Sequence, residues 1–172
     1  MGPVSAKIEI DMPRSRAFDS LVDLALRPAF TDHFVAGFHL TKIESTGVGA
    51  GARFRFTAGP RDVWTDTAIV EAEEPHRILE QGRGGRGNRV PSTTLWELTE
   101  GPGSLTTVRV SYWTEPRSPV DRGLELLTAS SIPYERGWRR ALHRLRDQLE
   151  SGELGARRVG VAGGNRYATG IP

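Results

Sequence analysis

The chain has no cysteine in its 172 residues, which excludes disulfide staples, thiolate metal ligands and a cysteine nucleophile. Lysine is nearly absent too: Lys7 and Lys42 stand against 21 arginines, while Asp and Glu together hold the net charge to +2. This arginine use points to a GC-rich coding genome rather than to phosphate binding, and no nucleic-acid partner is expected. Long apolar runs are missing. The segment MGPVSAKIEI holds none of signal-peptide length, and no stretch approaches a membrane span. A cytoplasmic protein without a membrane span is the expectation. Metal-binding spacings are absent as well. His33, His39, His76 and His143 form neither HxH nor HExxH, so no metal and no cofactor are expected. No serine sits in a nucleophile-elbow sequence. Two glycine-rich stretches fail on context. Gly47 to Gly51 lacks the Lys and Ser/Thr of a phosphate loop, and Gly82 to Gly87 carries the spacing of a lone GxGxxG between two strands. Glycines in the first serve a tight turn, and the second is expected to be a loop at the rim of a pocket.

What is present is periodicity. Ile8 and Ile10 alternate with Lys7, Glu9 and Asp11, the pattern of a strand. Phe18, Leu21, Val22 and Ala25 recur at helical spacing, Pro28 interrupts them, and Ala29 to Phe34 forms a second short helix. Strands follow at Phe38 to Ser45, Arg53 to Thr57, Val63 to Ala72, Arg77 to Gln81, Thr93 to Thr99 and Thr106 to Thr114. Turn residues such as Gly59-Pro60, Glu74-Pro75 and Gly101-Pro102-Gly103 bound them, and such short connections favour antiparallel neighbours. Val120 to Thr128 is helix-like, and Pro133 predicts a kink near Ser130 to Pro133. From Pro133 to Ser151, Tyr134, Trp138, Ala141, Leu142, Leu145 and Leu149 fall on one helical face, opposite Arg136, Arg139, Arg140, His143 and Arg144. After Ser151 the glycines multiply and no apolar period survives. The reading is one domain over 1–151 and a flexible Gly/Arg-rich tail over 152–172, whose removal leaves stability unchanged.

The local wording carries a family resemblance. Val48-Gly49-Ala50-Gly51-Ala52-Arg53-Phe54-Arg55, Val70 to Ile78, Trp96-Glu97-Leu98 with Thr107 to Val110, and Trp138 to Glu150 are similar, in that order, to motifs of the SRPBCC superfamily of START-like, polyketide cyclase/dehydrase-like and birch-pollen-allergen-like proteins. The resemblance covers about residues 4 to 151. It implies an α+β helix-grip fold: a curved antiparallel sheet of about seven strands wrapped around a long C-terminal helix, with two short helices after the first strand. It also implies a cavity between sheet and helix that takes a hydrophobic or amphipathic small molecule.

Strand alternation nominates the walls of that cavity. Phe54 and Phe56 share a face, as do Trp96 and Leu98, and Val108, Val110 and Tyr112. Tyr134, Trp138 and Ala141 supply the helix side, and the two tyrosines are its hydrogen-bonding groups. The strand over 63–72 is ambiguous, because Trp64, Asp66, Ala68 and Val70 compete with Val63, Thr65, Thr67 and Ile69 for the inner face. If the first set faces inward, Trp64 joins the wall and Asp66 becomes an acid–base candidate beside Tyr112; otherwise Asp66 is solvent-exposed on the outer face. Three functions compete. The first is binding of a polyketide-like, aromatic or lipid molecule. The second is a cofactor-independent cyclase, aromatase or dehydratase working in the same cavity. The third is a protein-interaction module of the chaperone-activator type, using the basic helix face or the tail. The sequence leaves monomer and homodimer both open.

Overall fold

Strand β1 (Val4–Asp11) buries Val4, Ala6, Ile8 and Ile10 and exposes the residues between them, the alternation expected of a strand with one face on the core. The computed structural model describes residues 1–58, 62–120, 122–123, 131–154, 159–161 and 167–168, the last pair and residue 86 as backbone only. After β1 come α1 (Arg14–Val22), a 3-10 turn over Leu24–Leu26 and α2 (Arg27–Thr31). Pro28 stands in the first turn of α2, where its missing N–H is not needed. The strands β2 (Val35–Leu40), β3 (Gly51–Phe56), β4 (Val63–Glu73), β5 (Arg77–Gly84), β6 (Val90–Glu100) and β7 (Leu105–Thr114) follow. The long helix α3 (Ser131–Ser151) is next, then the short strands β8 (Val159–Val161) and β9 (Tyr167–Ala168).

Among the described residues the strands form one sheet in the order β1-β7-β6-β5-β4-β3-β2-β8-β9. All pairs from β1 to β2 are antiparallel. This is the α+β helix-grip architecture, with its long C-terminal helix and its curved, mainly antiparallel sheet. Strand β2 begins and ends earlier than its composition suggests, covering Val35 to Leu40 rather than Phe38 to Ser45. The expected helix over Val120 to Thr128 and the kink near Ser130 fall largely outside the described residues.

Helix α3 lays Tyr134, Gly137, Trp138, Ala141, Leu142, Leu145 and Leu149 into the core. Its docking is set by a close approach at Gly137. A Cβ there would stand 2.6 Å from Cδ2 of Phe34, well inside van der Waals contact, so glycine is retained although it costs about 1 kcal/mol against alanine inside a helix. Polar contacts to α2 fix the same interface. Arg144 pairs with Asp32 and donates to the Ala29 carbonyl at 3.1 Å, and Gln148 Nε2 donates to that carbonyl at 3.0 Å.

The segment beyond Ser151 departs from the flexible-tail expectation. Strand β8 pairs in parallel with β2 at His39 and Leu40, and Val159 is buried against the core. Sheet-edge pairing needs little apolar periodicity, which is why a three-residue strand left no pattern in the sequence.

Two outcomes follow for stability. Gly137→Ala is expected to destabilise by roughly 1–3 kcal/mol despite alanine's better helix propensity, because overpacking against Phe34 outweighs it; chemical denaturation checks this, and a gain in stability would contradict the packing. Truncation after Ser151 is expected to lower the melting temperature measurably, since it uncovers the β2 edge and the side of the core that Val159 fills.

A candidate ligand site between sheet and helix

The inner face of the sheet divides into two ends. Toward the start of β1 and the end of β7, cross-strand neighbours Val4 and Tyr112 stand beside Thr94 and Glu80. Toward the other end, Ile8, Val108, Leu98, Val110, Trp96 and Ile78 form a fully apolar floor. The helix follows this division: Ala141, Leu142 and Leu145 are completely buried, and Tyr134 and Trp138 belong to its first half.

Around Tyr134 and Trp138 gathers an aromatic cluster. Phe56 meets Tyr112, Tyr134 and Trp138 with ring centroids 5.3, 5.4 and 6.3 Å apart. Tyr112 and Tyr134 lie nearly parallel at 6.0 Å. Trp138 meets Trp96 edge-on at 5.6 Å, and Phe54 joins through Phe56 at 5.1 Å. Sheet and helix thus share one aromatic wall, built from residues that strand and helix periodicity nominate.

Beside this wall the sheet carries small and polar residues. Thr65 and Thr67 on β4 face Gly84 and Gly82 on β5, and Gly82 in turn faces Ser92 on β6. Thr65, Ser92 and Thr94 are buried. A Cβ at Gly82 would collide with the Asp66 carbonyl, and one at Gly84 would stand 2.8 Å from Thr65 Oγ1. Glycine therefore lets β5 bend against β4, and neither residue puts a side chain over the sheet. Thr65 Oγ1 and the Trp138 indole Nε1, both buried, have no hydrogen-bond partner among the described residues. Buried polar atoms are nearly always paired; Arg14 Nε, Arg27 Nε, Arg55 Nε, Arg77 Nε and Gln148 Oε1 share this condition elsewhere in the fold.

A carboxylate lies under the same region. Glu80 is 4% exposed and accepts through Oε1 from Arg27 Nη2 at 2.7 Å and from Trp96 Nε1 at 2.9 Å. Its Oε2 receives a long contact of 3.5 Å from Thr67 Oγ1. The Arg27 guanidinium also lies 4.5 Å from the Trp96 ring centroid. Sequence inspection passed over this group, although Glu80 shares the strand alternation of buried Ile78 and so announces an inward carboxylate.

Two nominated residues are misplaced. Trp64 is 42% exposed and sits on the outer face beneath Arg53 and Arg55, whose guanidinium carbons lie 5.3 and 5.8 Å from its ring centroid. Asp66 shares that outer face, with Asn88 Nδ2 at 2.5 Å and Arg53 Nε at 3.5 Å. It cannot serve as an acid or base in the interior. A bulge between Ile69 and Glu71 slips the β4 alternation by one residue, so that Ile69 before it and Ala72 after it both pack on the core. Both competing faces therefore look half right in the sequence. Leu98, Val110 and Ala141 are buried in the solid part of the core. A separate open groove of about 570 Å³ lies between β1, β7 and the end of α3, lined by Lys7, Glu9, Thr107, Arg146 and Glu150 among others. None of the nominated residues borders it.

The family follows from a match over residues 11–150 to the model of the activator of Hsp90 ATPase homolog 1-like proteins. The chain belongs to that family. It thereby falls in the SRPBCC superfamily, as its motifs suggest. None of the curated proteins matches the chain. Among solved structures, the KanY protein is 15% identical with a TM-score of 0.68, over 87% of this chain and 99% of that one. The TTHA0849 protein of Thermus thermophilus is 18% identical with a TM-score of 0.62, over 87% and 98%. DynU16, from the dynemicin biosynthetic locus, is 22% identical with a TM-score of 0.57; the match covers 88% of this chain and 48% of DynU16. At such identities the likeness is one of fold. Among the described residues of this Hsp90-activator-like domain, no helix is long and apolar enough to cross a membrane.

One titratable group joins the helix to the rest of the domain. His33 Nε2 lies 3.1 Å from the Gly137 carbonyl, which can only accept, so Nε2 carries the proton; Nδ1, 3.2 Å from Arg144 Nη1, then accepts. Burial lowers the His33 pKa below 6.5, the Gly137 hydrogen bond opposes this, and the charges of Arg140 and Arg144 add to the lowering. Between the folded value and 6.5 the unfolded chain binds more protons, so this contribution to stability is complete above 6.5 and is lost as pH falls through the folded value. The denaturation midpoint is expected to drop between about pH 7.5 and about pH 5, with a shallower drop in His33→Asn. Equal slopes in the two proteins would count against the assignment.

Proposed function

We propose that this protein binds a hydrophobic or amphipathic small molecule, polyketide-like, aromatic or lipid, between the sheet and the first half of α3. The observation that carries the reading is two buried polar atoms with no hydrogen-bond partner among the described residues, Thr65 Oγ1 and Trp138 Nε1, on an interior that also holds the aromatic wall. Ligand sites are mainly apolar with a few placed polar groups, and this inner face has that composition. The family and the fold agree with such a role. The occurrence of one structural neighbour, DynU16, in the dynemicin biosynthetic locus agrees with a small molecule as the partner.

A cofactor-independent cyclase or dehydratase remains a second reading on one observation. Glu80 supplies an inward carboxylate next to the same wall, which is the kind of group that moves protons on a held substrate. The match to the activator of Hsp90 ATPase homolog 1-like proteins favours the interaction-module reading as a third, in which Arg139, Arg144 and Arg146 of the basic helix face are also engaged locally with Glu135, Asp32 and Asp147.

The test is direct binding. The folded protein is expected to enhance the fluorescence of 1-anilinonaphthalene-8-sulfonate, a fused-ring aromatic should displace it, and Ser92→Phe should weaken the dye by about tenfold by filling the small-residue stretch. A native protein that takes up neither dye nor aromatic would rule out both the carrier and the cyclase.

A further inference from the structure

We infer that two copies of this chain pair antiparallel through the free edge of β1, with Ile8 on the two-fold axis and Lys7 of each copy opposite Glu9 of the other. Among the described residues β1 ends the sheet, with β7 on one side and no strand on the other. The direction of its backbone groups follows from its neighbours. Leu105 donates its N–H to the Pro102 carbonyl and accepts from the Gly101 N–H, so its backbone faces the β6 hairpin, while the Ser104 carbonyl accepts from the Met12 N–H. Even-numbered residues of β7 therefore face β1. In the register Ile10↔Thr106 and Ile8↔Val108, the even-numbered residues of β1 face β7 in return. Ser5, Lys7, Glu9 and Asp11 are left to point N–H and C=O off the edge. Asp11 bears this out, since its N–H is capped by Glu150 Oε1 at 2.9 Å. The N–H groups of Ser5, Lys7 and Glu9 have no such cap among the described residues.

An open edge of this kind is a template for another strand, and the charges around it select a second copy. The open groove lies along it, with Lys7 and Glu9 on the strand and Arg146 and Glu150 on the flank of α3. A lone lysine on an edge strand discourages pairing. Here Glu9 stands two residues on, so a two-fold axis through Ile8 sets each charge against its opposite. The backbone fits the same axis. Lys7 and Glu9 both point their polar groups outward, so Lys7 and the partner's Glu9 form a hydrogen-bonded pair that exchanges both N–H···O bonds, as do Glu9 and the partner's Lys7. Lys7 also lacks compensation in its own sheet. Its cross-strand neighbour is Arg109, which has Glu97 on its far side. Neither Lys7 nor Glu9 makes an ion pair among the described residues. Like charges directly opposite each other destabilise a sheet, and a carboxylate supplied across the edge relieves the Arg109–Lys7 pair. A strand of another protein would need the same order of charges; this chain already carries it.

Analytical ultracentrifugation of the full chain, from low micromolar to near-millimolar concentration, tests this. Wild type is expected to show a monomer–dimer equilibrium within that range. Lys7→Glu sets a carboxylate against the partner's Glu9, and Glu9→Lys sets an ammonium against the partner's Lys7. Symmetry repeats each clash, so either variant alone should weaken the dimer by about tenfold or more. An equimolar mixture of the two variants should recover dimer of wild-type strength, because every opposed pair is again of opposite sign. The double variant Lys7→Glu/Glu9→Lys should recover it for the same reason. Both side chains are exposed, so each variant should keep the wild-type circular dichroism spectrum. A wild type that sediments as a monomer throughout would overturn the proposal. A dimer that neither single variant weakens would overturn it too, since the contact would then lie elsewhere. Single variants that weaken the dimer without recovery in the mixture or the double variant would refute the register about Ile8.

Discussion

A carboxylate buried in the middle of a sheet is the constraint around which this domain is arranged. Glu80 is sealed from solvent, and an uncompensated charge there would cost far more than a single domain can spare. Compensation comes from Arg27 at the start of α2, which also donates to the Leu21 carbonyl at the end of α1 at 3.2 Å and lies over the Trp96 ring. One ion pair therefore holds both short helices against the centre of the sheet. Helix α3 is docked in turn on α2, through Arg144, Gln148 and the His33–Gly137 contact. Breaking the pair by removing one partner would strand a buried charge, a change that typically costs about 3–5 kcal/mol.

The same pair explains the two-ended interior. On one side lie close-packed aliphatic residues and the indole of Trp96, ordinary core that stabilises by burial. On the other side lie threonines, a serine and glycines, residues that bring little apolar area and leave hydroxyls facing inward. This polar stretch, together with the aromatic wall, is what the proposal of a small-molecule ligand rests on.

Much of this architecture is legible in the sequence. The alternation in β1, β6 and β7 and the stripe of α3 name the correct inward residues, because each element packs one regular face. Legibility fails where regularity fails. The bulge in β4 brings Ala72 inward after Ile69, so the face that holds the outward Trp64 and Asp66 also contains a core residue, and no period-two reading anticipates a slip of one residue. Gly137 and Arg27 depend on what meets them across the fold, Phe34 and Glu80, and contacts of that range leave no local trace. Glu80 is the exception: its alternation with Ile78 along β5 marks an inward position in the sequence itself.

The indole N–H resonances of the four tryptophans report on the central claim most directly, because they sample the proposed site, the ion pair and the outer surface separately. Upon titration with a hydroxylated fused-ring aromatic, the Trp138 Nε1–H signal is expected to move the most, as an unpartnered donor gains an acceptor. Trp96, already bonded to Glu80, should move less, and Trp64 and Trp113, on the outer face, should stay in place. Movement of Trp64 or Trp113 with a stationary Trp138 would place binding outside the helix-gripped interior and contradict the account.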